Sequence, residues 1–131
     1  MGYRSEICIG VFFKDKAQMD EILAIYAMQE QVQKCDAMKW WEFGEYDGHP
    51  CMKFYDEHTK WYESYDEVKA IESIKSICRD FAAEREFSYA YRSTRIGEDE
   101  NDIETIFDSS DDLATLTYAA MEIERRLNIN F

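Results

Sequence analysis

The stretch FSYAYRSTRIGEDENDIETIF, residues 87–107, decides the fold that the sequence predicts. Apolar and polar residues alternate at its start and again over residues 103–107, as they do in strands with one buried face. Gly97 and the polar run after it supply the residue types of a turn. The stretch therefore predicts a β-hairpin with a densely acidic tip.

Turn and helix-start signals divide the rest of the chain into regular elements. Asp47 and Gly48 form a dipeptide typical of a hairpin turn, and Asp15 and Ser64 are typical capping residues at a helix start. The predicted elements are, in chain order, a strand at 7–13, a helix from Asp15 to near Cys35, a strand at 38–46, a strand at 49–55 that can resume at 59–62, a helix that begins at Ser64, the hairpin of residues 87–107, and a helix that begins at Ser109 or Ser110.

The last helix is predicted from apolar residues at alternating steps of three and four positions: Leu113, Leu116, Ala120, Ile123 and Leu127. The order of elements is then β-α-β-β-α-β-β-α, and its first six elements match the ferredoxin-like split β-α-β order. We therefore expect an α+β fold in a single domain, residues 1–131, with a ferredoxin-like core extended by one strand and one helix. Its sheet should have about five strands, with the helices on one face.

A sheet with helices on one face leaves its second face uncovered. Trp40 and Trp41 are adjacent within a predicted strand, so they are expected to point to opposite faces of the sheet. One of the two rings should then lie away from the helices or near an edge of the sheet. An exposed apolar face of this kind predicts a dimer or a higher oligomer.

The chain carries a formal net charge of −13, and its acids are unevenly placed. Residues 96–124 contain no Lys or Arg, and their acids are Glu98, Asp99, Glu100, Asp102, Glu104, Asp108, Asp111, Asp112, Glu122 and Glu124. Such a one-signed region repels nucleic acid and attracts basic protein surfaces. No run of about 18 apolar residues is present, and the first residues, MGYRSE, lack the apolar centre of a signal peptide, so the sequence predicts no membrane span and a cytoplasmic location.

The acidic tip has three interpretations: a solvated turn, a docking surface for a partner, and a divalent-cation site. The cation site ranks last, because Ile103 interrupts an EF-hand pattern counted from Asp99 and successive loop carboxylates cannot all converge. His49 and His58 lack the paired spacing of a zinc site, and Cys51 beside His49 makes a poor nucleophile pair. We therefore expect no metal, no cofactor and no enzymatic activity.

The predicted partner-binding residues are acids of the hairpin and large aromatic side chains. They are Glu98, Asp99, Glu100, Asp102, Glu104, Asp108, Trp40, Trp41, Trp61 and Tyr62. Aromatic sheet faces can stack nucleic-acid bases, but they do so within a basic funnel. Here Lys39, Lys53 and Lys60 are offset by neighbouring acids, so we expect no direct nucleic-acid binding. Core packing is the first expectation for the aromatic rings, and a protein interface is the expectation for those left outside.

Three segments of the chain resemble a group of small bacteriophage proteins of unassigned function. The segments are MGYRS at 1–5, KWYESYDEV at 60–68 and RIGEDENDIE at 95–104. The resemblance implies a phage product in the cytoplasm of a bacterial host, and it carries over no catalytic residue. Small accessory phage proteins often bind and disable a host protein, including defence nucleases, so the resemblance also implies an inhibitor.

Three functions are compatible with these patterns. The first is a non-enzymatic protein that binds and inhibits a host protein with a basic surface, such as a defence protein or one that binds nucleic acid, partly by acidic mimicry of phosphates. The second is a homo-oligomeric structural or accessory protein that associates through the open sheet face. The third is a metal-dependent enzyme. Salt distinguishes the first two, because acidic mimicry weakens steeply with salt and an apolar dimer barely responds.

Overall fold

The computed structural model describes residues 5–46, 48–59, 65–84, 88–98, 102–109, 121–123 and 127–129. The strands are β1 (Ser5–Phe13), β2 (Glu42–Tyr46), β3 (His49–Thr59), β4 (Tyr89–Gly97), β5 (Ile103–Ser109), β6 (Met121–Ile123) and β7 (Leu127–Ile129). The helices are α1 (Lys16–Met28), α2 (Glu30–Cys35) and α3 (Asp66–Glu84), and a short 3-10 helix spans Ala37–Trp40.

Five strands form one antiparallel sheet in the order β2-β3-β1-β4-β5. From β1 the chain passes through α1 and α2 to β2, which does not pair with β1. Strand β3 then folds back on β2 as a hairpin and lies between β2 and β1. Helix α3 then carries the chain to β4, on the other side of β1. This is the ferredoxin-like order, and β5 is added beside β4 at the outer edge. The predicted α+β fold and its extra strand are confirmed.

The helices pack on one face of the sheet, where alternate strand residues meet their apolar stripes. The core cluster includes Ile7, Ile9, Val11, Phe13, Ile22, Tyr26, Met52, Phe54, Ile71, Ile74, Tyr89 and Tyr91. Tyr91 lies opposite Val11, and Tyr89 lies opposite Phe13, so the alternation that predicted β4 also sets its buried face. The hairpin is therefore anchored to the core through β4.

The first helical region is interrupted once and ends where the sequence predicts. Asp15 caps α1, since its carboxylate accepts a hydrogen bond of 2.9 Å from the backbone N–H of Gln18. At Gln29 the backbone is extended, with ψ at 136°, and α2 follows. That helix ends at Asp36, a left-handed residue with φ at 54°. None of the helices in the described ranges is both long and apolar enough to cross a membrane.

The second face of the sheet is buried at its centre, which contradicts the expectation of an uncovered face. Its buried residues are Cys8, Phe12, Cys51, Ala90, Arg92, Thr94 and Ile96. At the periphery Tyr55 and Ile103 are each 44% exposed. Strand β7 contacts β1, the central strand. The argument for a dimer depended on a broad exposed apolar face, and this burial removes its premise.

Trp40 and Trp41 do not point to opposite faces of the sheet. Trp40 ends the 3-10 helix and β2 begins only at Glu42, so the alternation of a pleated strand does not apply to this pair. Trp41 is 4% exposed within the core cluster, and Trp40 packs half-buried against the same cluster. The prediction that the two rings point to opposite faces of the sheet is therefore wrong.

The predicted C-terminal helix is wrong wherever the structure describes that region. Ser109 belongs to β5, and β6 and β7 pair antiparallel, with Ile123 opposite Leu127. A spacing of four residues fits one helical turn, but it also fits two strand residues that face each other across a three-residue connection. Leu113, Leu116 and Ala120 lie outside the described residues.

Candidate functional site

Arg95 closes the base of the acidic hairpin. Its Nη1 and Nη2 donate hydrogen bonds of 3.1 and 2.9 Å to the two carboxylate oxygens of Asp102. Nη1 also donates to the Ser5 hydroxyl at 3.1 Å, which ties the hairpin to the central strand. The backbone N–H of Gly97 donates a 2.7 Å bond to the carbonyl of Asp102. Asp102 therefore holds the base of the hairpin together through a charge-assisted pair.

Glu104 and Asp108 also have cationic partners within the chain. Glu104 lies 4.0 Å from Nε of Arg95, although more than half of its side chain remains exposed. Asp108 lies on the helix side of β5 and accepts a 3.2 Å bond from Nε of Arg79 on α3. It also bonds the side chain of Tyr89, whose pKa is raised by burial and then by this carboxylate. Asp108 thus fastens α3 to the sheet.

These pairings were not evident from the composition of residues 96–124, which contain no Lys or Arg. The cations that pair with the hairpin acids are Arg95, just before that segment, and Arg79 on α3. The register was the missing signal, because β4 and β5 pair with Arg95 directly opposite Glu104. Of the tip residues, Glu98 is exposed, and Asp99 and Glu100 lie outside the described residues.

Exposed carboxylates outnumber exposed cations in the described part of the chain. The fourteen exposed acids are Asp15, Asp20, Glu21, Glu30, Asp36, Glu42, Glu45, Asp56, Asp66, Glu67, Asp80, Glu84, Glu98 and Glu104. The six exposed cations are Lys14, Lys16, Lys34, Lys39, Lys69 and Arg79. Lys16, Lys39 and Arg79 are already in ion pairs with acids of this chain. The surface is therefore acidic on the helix layer as well as on the hairpin.

The aromatic residues that the sequence singled out have separate locations. The indole Nε1 of Trp41 donates a 3.0 Å bond to the hydroxyl of Tyr26, so Trp41 is a core residue. Trp40 lines an open groove of about 610 Å³ together with Lys34, Cys35, Tyr65, Asp66 and Glu67. Trp61 and Tyr62 lie outside the described residues. Trp40 is thus the one predicted aromatic residue in the described ranges that borders solvent.

The cysteines have the properties of core residues more than those of nucleophiles. Burial raises the pKa of the Cys8 thiol to about 12 and that of Cys51 to about 11, and it raises the pKa of Cys78 as well. All three are fully buried, whereas Cys35 is half-buried. Within the described ranges, no group of three or more His, Cys, Asp or Glu side chains is placed to hold a metal ion.

Thiol labelling of the native protein should report this difference. We expect Cys35 to react with a thiol reagent at least about tenfold faster than the other three cysteines, since it is only half-buried and burial raises the pKa of the other three thiols. The Cys35→Ala variant should then label only slowly at neutral pH, and urea should restore labelling of the three remaining thiols. Rapid labelling of native Cys35→Ala would mean that a buried thiol is open to solvent.

Strand β2 forms an exposed edge of the sheet, a feature that sequence reasoning passed over. Four of its residues, Glu42, Phe43, Gly44 and Glu45, are exposed, and Phe43 retains 49% of its accessible surface. Lys53 on β3 lies 3.6 Å from Glu42. In the sequence, the signal for such an edge is Gly44, a glycine that lies within a strand and between Glu42 and Glu45.

The chain was compared with family models, with curated proteins and with solved structures, and none of them matches. The candidate site is therefore defined by this chain's own chemistry. It consists of an acidic surface, a half-buried tryptophan beside an open groove, and an exposed strand edge flanked by carboxylates.

Proposed function

We propose that this protein is a non-enzymatic binding protein that engages and inhibits a basic host protein through its acidic surface. The observation that carries the proposal is the excess of fourteen exposed acids over six exposed cations in the described residues. At physiological salt such charge acts over about 8 Å, and it speeds the association of partners of opposite sign. A binding protein needs no convergent catalytic residues.

A protein that binds nucleic acid is the favoured kind of partner. Its basic groove is built to accept regularly spaced negative charges, and carboxylates along an exposed surface can occupy that groove in place of phosphates. Among the acids of the predicted set that the structure describes, Glu98 and Glu104 on the hairpin are exposed. Asp102, Asp108 and Trp41 support the fold that presents them.

We take the partner to be bacterial because three segments of the chain resemble small bacteriophage proteins. The compartment follows as the cytoplasm of the bacterial host. An acidic surface that occupies a nucleic-acid groove inhibits by competition, so nucleic acid and this protein should displace each other from the partner.

Capture from a bacterial lysate tests the proposal when the tip is compared with a charge-matched control. The tip variant is Glu98→Gln with Asp99→Asn and Glu100→Gln. The control carries Glu30→Gln, Asp80→Asn and Glu84→Gln, three exposed acids on the helices. Both variants lose the same charge. We expect the wild type to retain a basic, nucleic-acid-binding protein, identified by mass spectrometry, that is released as salt rises.

The two variants separate local recognition from general charge. Loss of capture by the tip variant alone identifies the hairpin as the contact, and equal weakening in both variants identifies the overall field. If neither variant changes the salt dependence, or if the captured protein is not basic, the acidic surface is not the binding surface.

A further inference from the structure

The outer edge of β2 has backbone groups directed away from the sheet. Among the described residues β2 pairs with β3 alone, from Glu42 opposite Lys53 to Tyr46 opposite His49. In a hairpin with a two-residue turn, the residues that flank the turn form a hydrogen-bonded pair. Alternate residues of β2 then direct their backbone groups toward β3, and the N–H and C=O groups of Phe43 and Glu45 point outward.

Gly44 lies at the middle of this edge, and none of the described residues lies close enough to it to exclude a side chain. A Cβ built on it meets no atom within 4 Å, and its φ is not positive. The β2–β3 register runs through it without a bulge. Glycine weakens a strand, and in strands it often marks a place where another backbone or ligand approaches closely. The open space at Gly44 is suited to a large side chain on a neighbouring strand.

We propose that β2 accepts an additional β-strand from a partner, and that this strand carries Lys or Arg. The inference rests on the proposed function and specifies how the partner binds. Glu42 and Glu45 are exposed and belong to opposite faces of the sheet, so basic side chains on either face of an added strand meet a carboxylate. Exposed Phe43 supplies an apolar contact between them. Backbone hydrogen bonds to Phe43 and Glu45 provide affinity, as in other cases of strand addition.

Charge argues against a second copy of this chain as the added strand. An antiparallel pair of β2 strands centred on Gly44 would bring Glu45 diagonally next to Glu45 of the second copy, on one face. Each copy also carries a net charge of −13, which opposes their approach. A basic strand meets neither obstacle. The acids of β2 thus protect the edge from self-association and leave it open to a partner of opposite charge.

Two synthetic peptides provide the test. The first is a peptide of about nine residues, a common strand length, that alternates lysine with valine. The second has the same sequence and charge, but every backbone nitrogen is methylated, so it cannot pair along either edge. We expect the first peptide to shift the amide resonances of β2 most strongly. We expect the methylated peptide to bind at least about tenfold more weakly, because strand addition depends on main-chain hydrogen bonds.

Two variants at one position separate the edge from the charge. Glu45→Pro removes an outward N–H, and proline is tolerated on edge strands. Glu45→Gln removes the same charge and keeps the N–H. Binding of the first peptide should fall at least about tenfold further in Glu45→Pro than in Glu45→Gln. Circular dichroism and thermal unfolding check that both variants fold, and the methylated peptide on the wild type keeps the test valid if Glu45→Pro does not.

The outcomes distinguish the two proposals. If both peptides bind wild type equally, or if folded Glu45→Pro binds as well as Glu45→Gln, strand addition is overturned while attraction of basic partners stands. If neither peptide binds even at low salt, strand addition fails and the acidic surface loses its support as well. Preference for the unmethylated peptide, with resonance shifts at β2, supports the edge as the docking site.

Discussion

Replacing Tyr26 with phenylalanine is expected to lower the free energy of unfolding by about 2 kcal/mol, because it removes the central hydroxyl of a buried hydrogen-bond chain. That hydroxyl accepts the 3.0 Å bond from Trp41 and donates a 2.9 Å bond to the carbonyl of Ala70. The carbonyl also accepts a bond from Ser73, so it keeps a partner. The indole N–H loses its acceptor in a site that is 4% exposed, and this loss dominates. Urea unfolding measures the change.

A double-mutant cycle shows whether the indole is the origin of the loss. Trp41→Phe removes the donor together with part of the ring, at a cost of its own. In the double variant Tyr26→Phe with Trp41→Phe, the Tyr26 change should cost about 1 kcal/mol less than it does alone, because no buried N–H then remains unsatisfied. If the two changes simply add, the hydrogen bond between these side chains contributes nothing measurable.

Arg95→Met is expected to destabilise the protein by about 2 kcal/mol, since it leaves Asp102 without its bidentate partner. Removing one partner of a fully buried ion pair costs roughly 3–5 kcal/mol. Here the side chains of Arg95 and Asp102 are 18% and 32% exposed, so solvent screens part of the cost. The change also removes one positive charge from a chain whose net charge is already −13. Thermal and urea unfolding would both register the loss.

Two further variants control for the loss of a cation. Lys53→Met breaks the surface pair with Glu42, whose side chain is 76% exposed, and should cost less than about 1 kcal/mol. Adding Asp102→Asn to Arg95→Met should recover part of the stability, because the isolated carboxylate is removed. Equal effects of Arg95→Met and Lys53→Met would show that the hairpin base is no more than a surface ion pair.

The sequence predicts a strand correctly where the alternation of its apolar residues matches the face that the fold buries. In β1 and β4 the alternation of apolar residues coincides with the face that meets the helices. The capping residue Asp15 and the dipeptide at Asp47 and Gly48 set element boundaries through backbone chemistry, which is local. The order of elements then leaves few ways to arrange the sheet.

The prediction was wrong where one pattern fits two backbones. Trp40 and Trp41 were assigned to a strand, but a 3-10 helix brings both rings to the core side. Ile123 and Leu127 have a spacing that helices and tight hairpins share, and only pairing distinguishes them. The net charge of the hairpin segment counts only residues that are neighbours in sequence. It therefore does not show that Arg79, on α3, forms an ion pair with Asp108. Ion pairs of this kind follow from register and packing.

The position of β1 has a consequence for how the chain reaches its native state. It precedes the other strands of the sheet along the chain, and among the described residues it pairs with β3 and β4, so its partners lie about 40 to 90 residues further along. The sequence-local pairs in the five-stranded sheet are the hairpins β2–β3 and β4–β5, one on each side of it. During translation β1 therefore emerges from the ribosome before the strands with which it pairs. Because long-range closure slows folding, we infer that insertion of β1 between two early hairpins limits the rate.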